Sequence, residues 1–205
     1  MNETPDLPGA VRLRAGDALL VVDLQRDFLP GGALAVPDGD RVVPALNRYL
    51  ERFEREGLLV VLTRDWHPTG HVSFNTRGGP WPPHCVAGTP GAEFAPGPRL
   101  PASAQICSKA TQPDAEAYSG FEGTELAASL RQQGIKRLFV GGLATDYCVR
   151  TTVLDALREG FEVLLLVDAI RPVEVQPGDG ARAEQAMLQA GARPIRFEQL
   201  AGPGT

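Results

Sequence analysis

Ala18-Leu-Leu-Val-Val-Asp23 is an unbroken apolar run that ends on an acidic residue, and it indicates the fold class. A strand that is apolar on both faces is typical of a parallel sheet covered by helices on both sides. Residues 58–62 (LLVVL), 137–141 (RLFVG) and 162–168 (EVLLLVD) have the same character. The sequence therefore predicts at least four buried parallel strands.

Helical patterns separate these strands. Residues 41–57 place their apolar side chains on one stripe and end at a glycine, as an amphipathic helix does. The remaining predicted elements are helices near 123–133, 147–160 and 180–191 and strands at 104–108 and 194–197. This alternation predicts an α/β fold: a single-domain, doubly wound, mostly parallel sheet of about six strands with helices on both faces.

Composition excludes several classes of function. The chain has 205 residues and a formal net charge of −5, so it lacks the basic surface of a nucleic-acid or anionic-membrane partner. Its apolar runs are too short to span a bilayer, and its first residues do not form a secretory signal. Three cysteines without a CxxC pair argue against a disulfide scaffold. We predict a cytoplasmic protein, and homo-oligomer formation is left open.

One long segment, residues 66–103, interrupts the strand and helix rhythm with eight prolines and six glycines. A connection of this length is usually functional or disordered, and its histidines favour function. All three histidines of the chain, His67, His71 and His84, lie within it, directly after Asp65. One carboxylate and three imidazoles suit Zn²⁺ or Fe²⁺, with Mn²⁺ as a further choice.

Two alternatives stand beside this metal site. Each histidine taken singly is typical of a solvated loop. Cys85, next to His84, is a conceivable substitute ligand, but adjacent side chains rarely point at one ion, so we predict a structural role for it.

Polar residues at the predicted strand ends form a second candidate site. Asp23, Asp65, Lys109, Cys148 and Asp168 follow or close successive strands, and ligands bind beyond the carboxyl ends of such strands. Of the five, Asp168 is assigned a structural role.

Cys148 is the candidate nucleophile. With Thr145 as helix N-cap, its sulfur would lie in the first helical turn, where the helix dipole and the Lys109 ammonium favour a thiolate. Asp23 could then carry the proton. In the alternative interpretation, Cys148 packs as a small helical residue and Lys109 is an exposed strand end.

Five segments carry a resemblance to a known family, in that family's order. They are residues 21–28 (VVDLQRDF), 63–74 (TRDWHPTGHVSF), 81–85 (WPPHC), 109–121 with Lys109 and AYSGF, and 141–150 (GGLATDYCVR). The chain resembles the nicotinamidase branch of the isochorismatase-like cysteine hydrolases over residues 17–197. The resemblance implies a hydrolase domain at 17–200 with a metal-binding loop at 65–103, an N-terminal extension at 1–16 and a flexible C-terminus at 201–205.

The resemblance also implies residue roles. The activity would be deamidation of nicotinamide, a small-molecule aromatic amide, to nicotinate and ammonia. Asp23, Lys109 and Cys148 match the catalytic residues, with a thioester on Cys148. Ala144 follows a cis peptide bond and would form the oxyanion hole with the Cys148 amide.

Two further groups of residues match the family. Its metal ligands correspond to Asp65, His67, His71 and His84, and the ion would hold the pyridine nitrogen. Its ring-binding aromatic residues correspond to Phe28, Trp81 and Tyr118, whose alternative role is packing in the core or the loop. Tyr147 departs from relatives that carry histidine there.

Three rival functions remain at this stage. Another amidohydrolase of the same fold, acting on a ureido, carbamoyl or pyrazinamide-like substrate, would keep the catalytic residues. A carbamoyl or ureido amidase would not need the metal cluster. An isochorismatase-type vinyl-ether hydrolase would not need Cys148. A non-catalytic binding protein would use the ion only to hold its loop in place.

Overall fold

The computed structural model describes residues 10–201, which are built around one parallel sheet. Most of the predicted N-terminal extension (residues 1–9 of 1–16) and of the predicted C-terminus (202–205 of 201–205) lies outside the described residues. The strands are β1 (Asp17–Val22), β2 (Leu59–Asp65), β3 (Gln105–Lys109), β4 (Arg137–Leu143), β5 (Glu162–Arg171) and β6 (Arg193–Ile195). The helices are α1 (Val42–Arg55), α2 (Leu126–Gln132), α3 (Arg150–Arg158) and α4 (Asp179–Gln189).

The central strands are buried on both faces, as their continuous apolar sequences predict. In β1, Leu19 and Val21 belong to the core that α1 covers. Their neighbours Leu20 and Val22 belong to the core on the other face, together with side chains of α2, α3 and α4. Because successive strand residues point to opposite faces, one short strand serves both cores. The predicted fold class is confirmed.

The strand order, β3-β2-β1-β4-β5-β6, creates the position where a site can form. The chain winds outward from β1 in one direction and, starting with β4, in the other, so the order reverses between β1 and β4. Ligands bind in the crevice outside the carboxyl ends of strands at such a reversal. Gly142 of β4 approaches β1 so closely that a Cβ there would lie 2.1 Å from the Val22 carbonyl oxygen.

Element bounds differ from the prediction in two places that matter for the site. Strand β5 continues past Asp168 to Arg171, after a shift in its pairing with β4 between Val140 and Gly142. Helix α3 begins only at Arg150, because residues Thr145–Val149 form a turn of π-helix. Within residues 10–201, no helix has the length and apolar character needed to cross a bilayer.

A buried ion pair joins β1 and β4 at their amino ends, opposite the carboxyl ends where ligands are expected to bind. The Arg137 guanidinium donates to both carboxylate oxygens of Asp17, at 2.8 and 2.6 Å.

We expect Arg137→Met to lower the free energy of unfolding by about 3–5 kcal/mol, because Asp17 then stays buried without its cation. Arg158→Met, which removes the exposed pair with Asp155, should cost less than about 1 kcal/mol in the same denaturant titration. Equal losses would contradict this account.

Candidate active site

Three predicted catalytic residues meet at the carboxyl ends of β1, β3 and β4. The Lys109 ammonium lies 2.9 Å from an Asp23 carboxylate oxygen and 3.4 Å from the Cys148 sulfur. All three side chains are buried. Because their strands are near neighbours in the parallel sheet, the fold itself brings together residues that are far apart in the chain.

Asp65 joins this group through the ladder between β2 and β3, where it is paired with Lys109. Its carboxylate accepts a hydrogen bond from the Lys109 ammonium, and the Ala117 carbonyl oxygen accepts another at 3.3 Å. One buried cation therefore lies between two buried carboxylates, which stabilises the charged form of each partner.

The pKa values follow from this arrangement. Burial alone would lower the pKa of Lys109, but Asp23 and Asp65 outweigh it and raise that pKa well above its ordinary value. Burial would raise the pKa of Asp65, yet Lys109 and His67 lower it below its usual range. At Asp23, burial prevails over Lys109, and the pKa is raised. Of the two carboxylates, Asp23 is thus the better proton acceptor.

Two neighbours that sequence reasoning missed hold the carboxylates in place. The Thr63 hydroxyl donates to Asp23 at 2.7 Å, and the Asp23 N–H donates back to it at 3.2 Å. The fully buried Gln25 amide accepts from the Asp65 N–H and donates to the Asp65 and Ala92 carbonyls. Gln25 lies inside the motif of residues 21–28, and that position is the signal that would have identified it.

Cys148 lies in the π-helical turn rather than in the first turn of an α-helix. Ala144, and not Thr145, is the N-cap, and the Thr145 hydroxyl has no hydrogen-bond partner in the described part of the chain, so the predicted Thr145 cap is wrong. The Leu143–Ala144 peptide bond is cis, as the resemblance implies. The N–H groups of Tyr147 and Val149 both donate to the Ala144 carbonyl, at 3.2 and 3.0 Å.

The Cys148 thiol differs from the predicted thiolate. Burial raises its pKa well above the ordinary value, and the nearby Lys109 cation lowers it by less than this, because Asp23 and Asp65 oppose Lys109. The sequence places Asp23 and Asp65 near the sulfur together with Lys109, but it does not show that burial and the two carboxylates outweigh the effect of this cation on the thiol pKa. A resting thiol needs a base to become a nucleophile.

A second group of side chains could hold a metal ion. One donor atom each from Asp65, His67 and His84 lies within 4.8 Å of the others, and all three residues are buried. Both ring nitrogens of His67 lack a hydrogen-bond partner among residues 10–201. His84 bonds the Pro82 carbonyl through Nδ1 at 2.8 Å, which leaves Nε2 free to coordinate. Burial also lowers the pKa of His84, which favours the neutral, ligating ring.

His71 lies outside this donor group, although the resemblance implies it as a fourth ligand. Its ring lies beside that of His67, with centroids 4.3 Å apart. Its two nitrogens instead contact Ser73 Oγ at 2.8 Å and the Ala115 carbonyl oxygen at 3.0 Å. Asp23, Asp65 and Cys148 also offer donors within 4.8 Å of one another, but the Lys109 ammonium lies among them.

The long loop is folded back on itself, and this brings His84 to His67. The His67 N–H donates to the Cys85 carbonyl at 3.0 Å, and the Ala87 N–H donates to the His67 carbonyl at 2.8 Å. Cys85 has a positive φ of 44°, and its N–H donates to the Asp27 carboxylate at 2.7 Å. Cys85 lies outside the donor group, which fits the structural role predicted for it.

One pocket connects the two groups. Its lining includes Cys148 and Ala144 as well as the donor residues Asp65, His67 and His84. The three aromatic residues suggested by the resemblance, Phe28, Trp81 and Tyr118, are all in its lining.

Tyr147 is an aromatic wall residue that the sequence analysis did not assign to the pocket. Its ring meets Trp81 edge-on with centroids 5.0 Å apart, and the Trp81 indole N–H donates to the Tyr118 hydroxyl at 2.9 Å. Its position directly before the predicted nucleophile Cys148 could have indicated that Tyr147 lines the pocket. Leu34, Val36 and Val173 add aliphatic surface to the same pocket.

Asp168 lies away from this pocket. Its carboxylate accepts the Tyr49 hydroxyl at 2.9 Å and the Phe197 N–H at 3.1 Å, so it ties β5 to α1 and to the segment after β6. This agrees with the structural role assigned to it from the sequence.

Comparison with known proteins identifies the family of this chain. The isochorismatase domain matches residues 17–199. Nicotinamidase of Escherichia coli (strain K12) is 41% identical over 196 residues, which cover 85% of this chain and 92% of that protein.

Solved structures resemble this chain over most of its length. Pyrazinamidase of Pyrococcus horikoshii, in complex with zinc, is 56% identical with a TM-score of 0.85, covering 89% of this chain and 99% of that one. PnC1 from L. infantum, in complex with nicotinate, is 35% identical with a TM-score of 0.83, covering 93% and 98% respectively. The chain therefore belongs to the isochorismatase domain family, and it is an amide-hydrolysing enzyme of that family.

Proposed function

We propose that this protein is a nicotinamidase, which hydrolyses nicotinamide to nicotinate and ammonia through a thioester on Cys148. The observation that carries the proposal is that the Cys148 sulfur and the donor group of Asp65, His67 and His84 line one pocket. An aromatic amide with a ring nitrogen needs both: a nucleophile for its carbonyl carbon and an acceptor for its nitrogen lone pair. The nicotinamidase of E. coli and the nicotinate-bound protein of L. infantum support this substrate class.

The pocket walls suit a flat ring. Phe28, Trp81 and Tyr118 offer aromatic surface, and the hydrogen bond between Trp81 and Tyr118 holds two of these rings together. Ligand pockets of this kind are mainly apolar, with a few polar groups that set orientation. We assign the three aromatic residues to binding the pyridine ring.

Asp65, His67 and His84 fit a divalent ion such as Zn²⁺ or Fe²⁺. The structural reason is that both buried ring nitrogens of His67 lack a hydrogen-bond partner within residues 10–201, since buried polar atoms are rarely left without one. A bound ion would supply a Lewis-acidic position that holds the pyridine nitrogen and so orients the ring. His84 would coordinate through Nε2, because its Nδ1 is bonded to the Pro82 carbonyl.

The first half of the reaction uses the residues around Lys109. Asp23 takes the proton of the Cys148 thiol while the sulfur attacks the amide carbonyl carbon. The carbon–nitrogen bond then breaks, Asp23 passes the proton to the departing nitrogen, and ammonia leaves. Lys109 contacts both groups throughout, so its charge offsets the negative charge that moves between sulfur and carboxylate.

The second half restores the enzyme. Asp23 takes a proton from water, whose oxygen attacks the thioester carbon, and the carbon–sulfur bond breaks. The proton returns to the Cys148 sulfur, and the product leaves as nicotinate after its carboxyl group has given the second proton of that water to solvent. The Ala144 and Cys148 N–H groups are proposed to stabilise the oxyanion in both halves, since Ala144 follows the cis peptide bond and Cys148 carries the attacking sulfur in the turn that begins there.

An amide panel tests the proposal. Ammonia release should be measured with nicotinamide, benzamide and N-carbamoylsarcosine, on metal-loaded protein and after chelation. We expect nicotinamide to be hydrolysed best, and benzamide, which lacks the ring nitrogen, to have a kcat/KM at least about 100-fold lower. Hydrolysis of N-carbamoylsarcosine without hydrolysis of nicotinamide would instead assign the chain to carbamoyl substrates.

His84→Ala is expected to weaken metal binding by at least about 100-fold, since even residues behind a metal ligand contribute 10–100-fold. KM for nicotinamide should rise more than kcat falls, because the nucleophile and its base remain. Metal content after dialysis checks this result by elemental analysis. Cys85→Ala, which alters the neighbouring residue but no donor, is the matched control and should keep its ion. Full occupancy in the His84 variant would remove that residue from the proposed ligands.

A further inference from the structure

His71 is completely buried and bonded at both ring nitrogens. At Nδ1, the Ser73 backbone N–H donates at 3.3 Å and the Ser73 hydroxyl lies at 2.8 Å. Because a backbone N–H can only donate, Nδ1 is the accepting nitrogen. The proton of the neutral ring is then on Nε2, which donates to the Ala115 carbonyl at 3.0 Å. Neither nitrogen has a free lone pair for a metal ion.

On one side, the His71 ring packs against His67, a proposed metal ligand. A ligand histidine usually has its orientation set by a hydrogen bond from its second ring nitrogen. His67 has no such bond among residues 10–201. Its ring is held instead by packing against His71, with centroids 4.3 Å apart, against Phe74 at 5.5 Å and against His84 at 4.8 Å.

On the other side, His71 supports a wall of the pocket. Its partner Ala115 begins a short segment, residues 115–118, that contributes Glu116, Ala117 and Tyr118 to the pocket lining. The Ala117 carbonyl accepts from Lys109, and the Tyr118 hydroxyl accepts from Trp81. The hydrogen bond from His71 Nε2 therefore connects the loop that carries the proposed metal ligands to residues 115–118, which form the pocket wall beside the substrate ring.

We propose that His71 is a positioning residue: it orients the His67 ring by packing and holds residues 115–118 against the substrate pocket. The proposal rests on the proposed function for the identity of the substrate, but its claim about metal binding does not.

The test compares His71→Ala and His71→Gln with wild type and with His84→Ala. For His71→Ala we expect the metal dissociation constant to rise about tenfold, the lower end of the effect of a residue that orients a ligand, against at least about 100-fold for His84→Ala. We expect KM for nicotinamide to rise about 10–100-fold with kcat within about threefold, because the wall moves but the nucleophile does not. The absorption spectrum of the Co²⁺-loaded variant should keep the wild-type bands, since the ligands are unchanged.

His71→Gln should recover part of the loss in KM, because its amide N–H can replace the donor to the Ala115 carbonyl. Ser73→Ala removes only the hydroxyl partner and should have the smaller effect. Loss of metal from both His71 variants to the extent seen for His84→Ala, or an altered Co²⁺ spectrum, would overturn the proposal in favour of a ligand. An unchanged KM would overturn it in favour of a purely structural residue. If wild type does not hydrolyse nicotinamide, the proposed function fails, while the metal measurements still decide the role of His71.

Discussion

Cys148→Ala is expected to reduce ammonia release from nicotinamide by at least about 10⁴-fold, because no other group replaces the sulfur that forms the thioester. The sulfur lines the pocket and lies 3.4 Å from the Lys109 ammonium. Alanine fills part of the same buried space, so the fold and the metal content should be retained. Initial rates, circular dichroism and elemental analysis check these three results.

Mass spectrometry adds a direct test of the intermediate. Wild-type protein quenched with acid during turnover should carry a nicotinoyl group on the peptide that contains Cys148. The matched control is Cys107→Ala, because Cys107 lies outside the pocket and contacts the Gly120 carbonyl instead. We expect this control to keep its kcat and the labelled peptide. Turnover in Cys148→Ala at more than a few per cent of wild type would refute the thioester mechanism.

Asp23→Asn is expected to lower kcat by about 10²–10⁴-fold, the usual contribution of a general base or acid. The amide has the shape of the carboxylate but cannot accept the thiol proton. Because burial keeps the thiol protonated at rest, the sulfur depends on this base. The single-turnover rate of acylation measures the effect, and slower alkylation of Cys148 by iodoacetamide should accompany it.

The fold should tolerate this substitution. Lys109 still pairs with Asp65, so the ammonium is not left without a partner. Asp155→Asn, which changes an acid in an ion pair with Arg158 at 2.7 Å, is the control and should leave kcat unchanged. A kcat within about threefold of wild type for Asp23→Asn would show that another group carries the proton.

The sheet and the position of the catalytic residues could be predicted because both depend on local pattern. Continuous apolar runs indicate strands buried on both faces, and parallel strands place their carboxyl ends at one edge. That rule brings Asp23, Lys109 and Cys148 together, but it also selects Asp168, which lies away from the pocket and binds Tyr49 and Phe197. The extension of β5 to Arg171 could not be predicted, because it depends on a shift in its pairing with β4.

The details of the site depend on contacts between distant residues, which no local pattern contains. His71 has the spacing of a ligand, but the Ala115 carbonyl, 44 residues away, takes one of its nitrogens. Thr145 is a favoured N-cap residue, but the turn of π-helix moves the cap to Ala144. The Cys148 thiol is protonated because burial and two carboxylates act against one cation.

The parallel sheet has a consequence for how the enzyme loses activity. The hydrogen bonds and ion pairs that join Asp23, Thr63, Asp65, Lys109 and Cys148 connect residues at least 39 positions apart and link four adjacent strands. A fragment or a partly assembled sheet that lacks any one of β1 to β4 lacks part of this set. Inactivation by urea should therefore follow the same curve as the far-ultraviolet signal of the whole domain, with one shared midpoint.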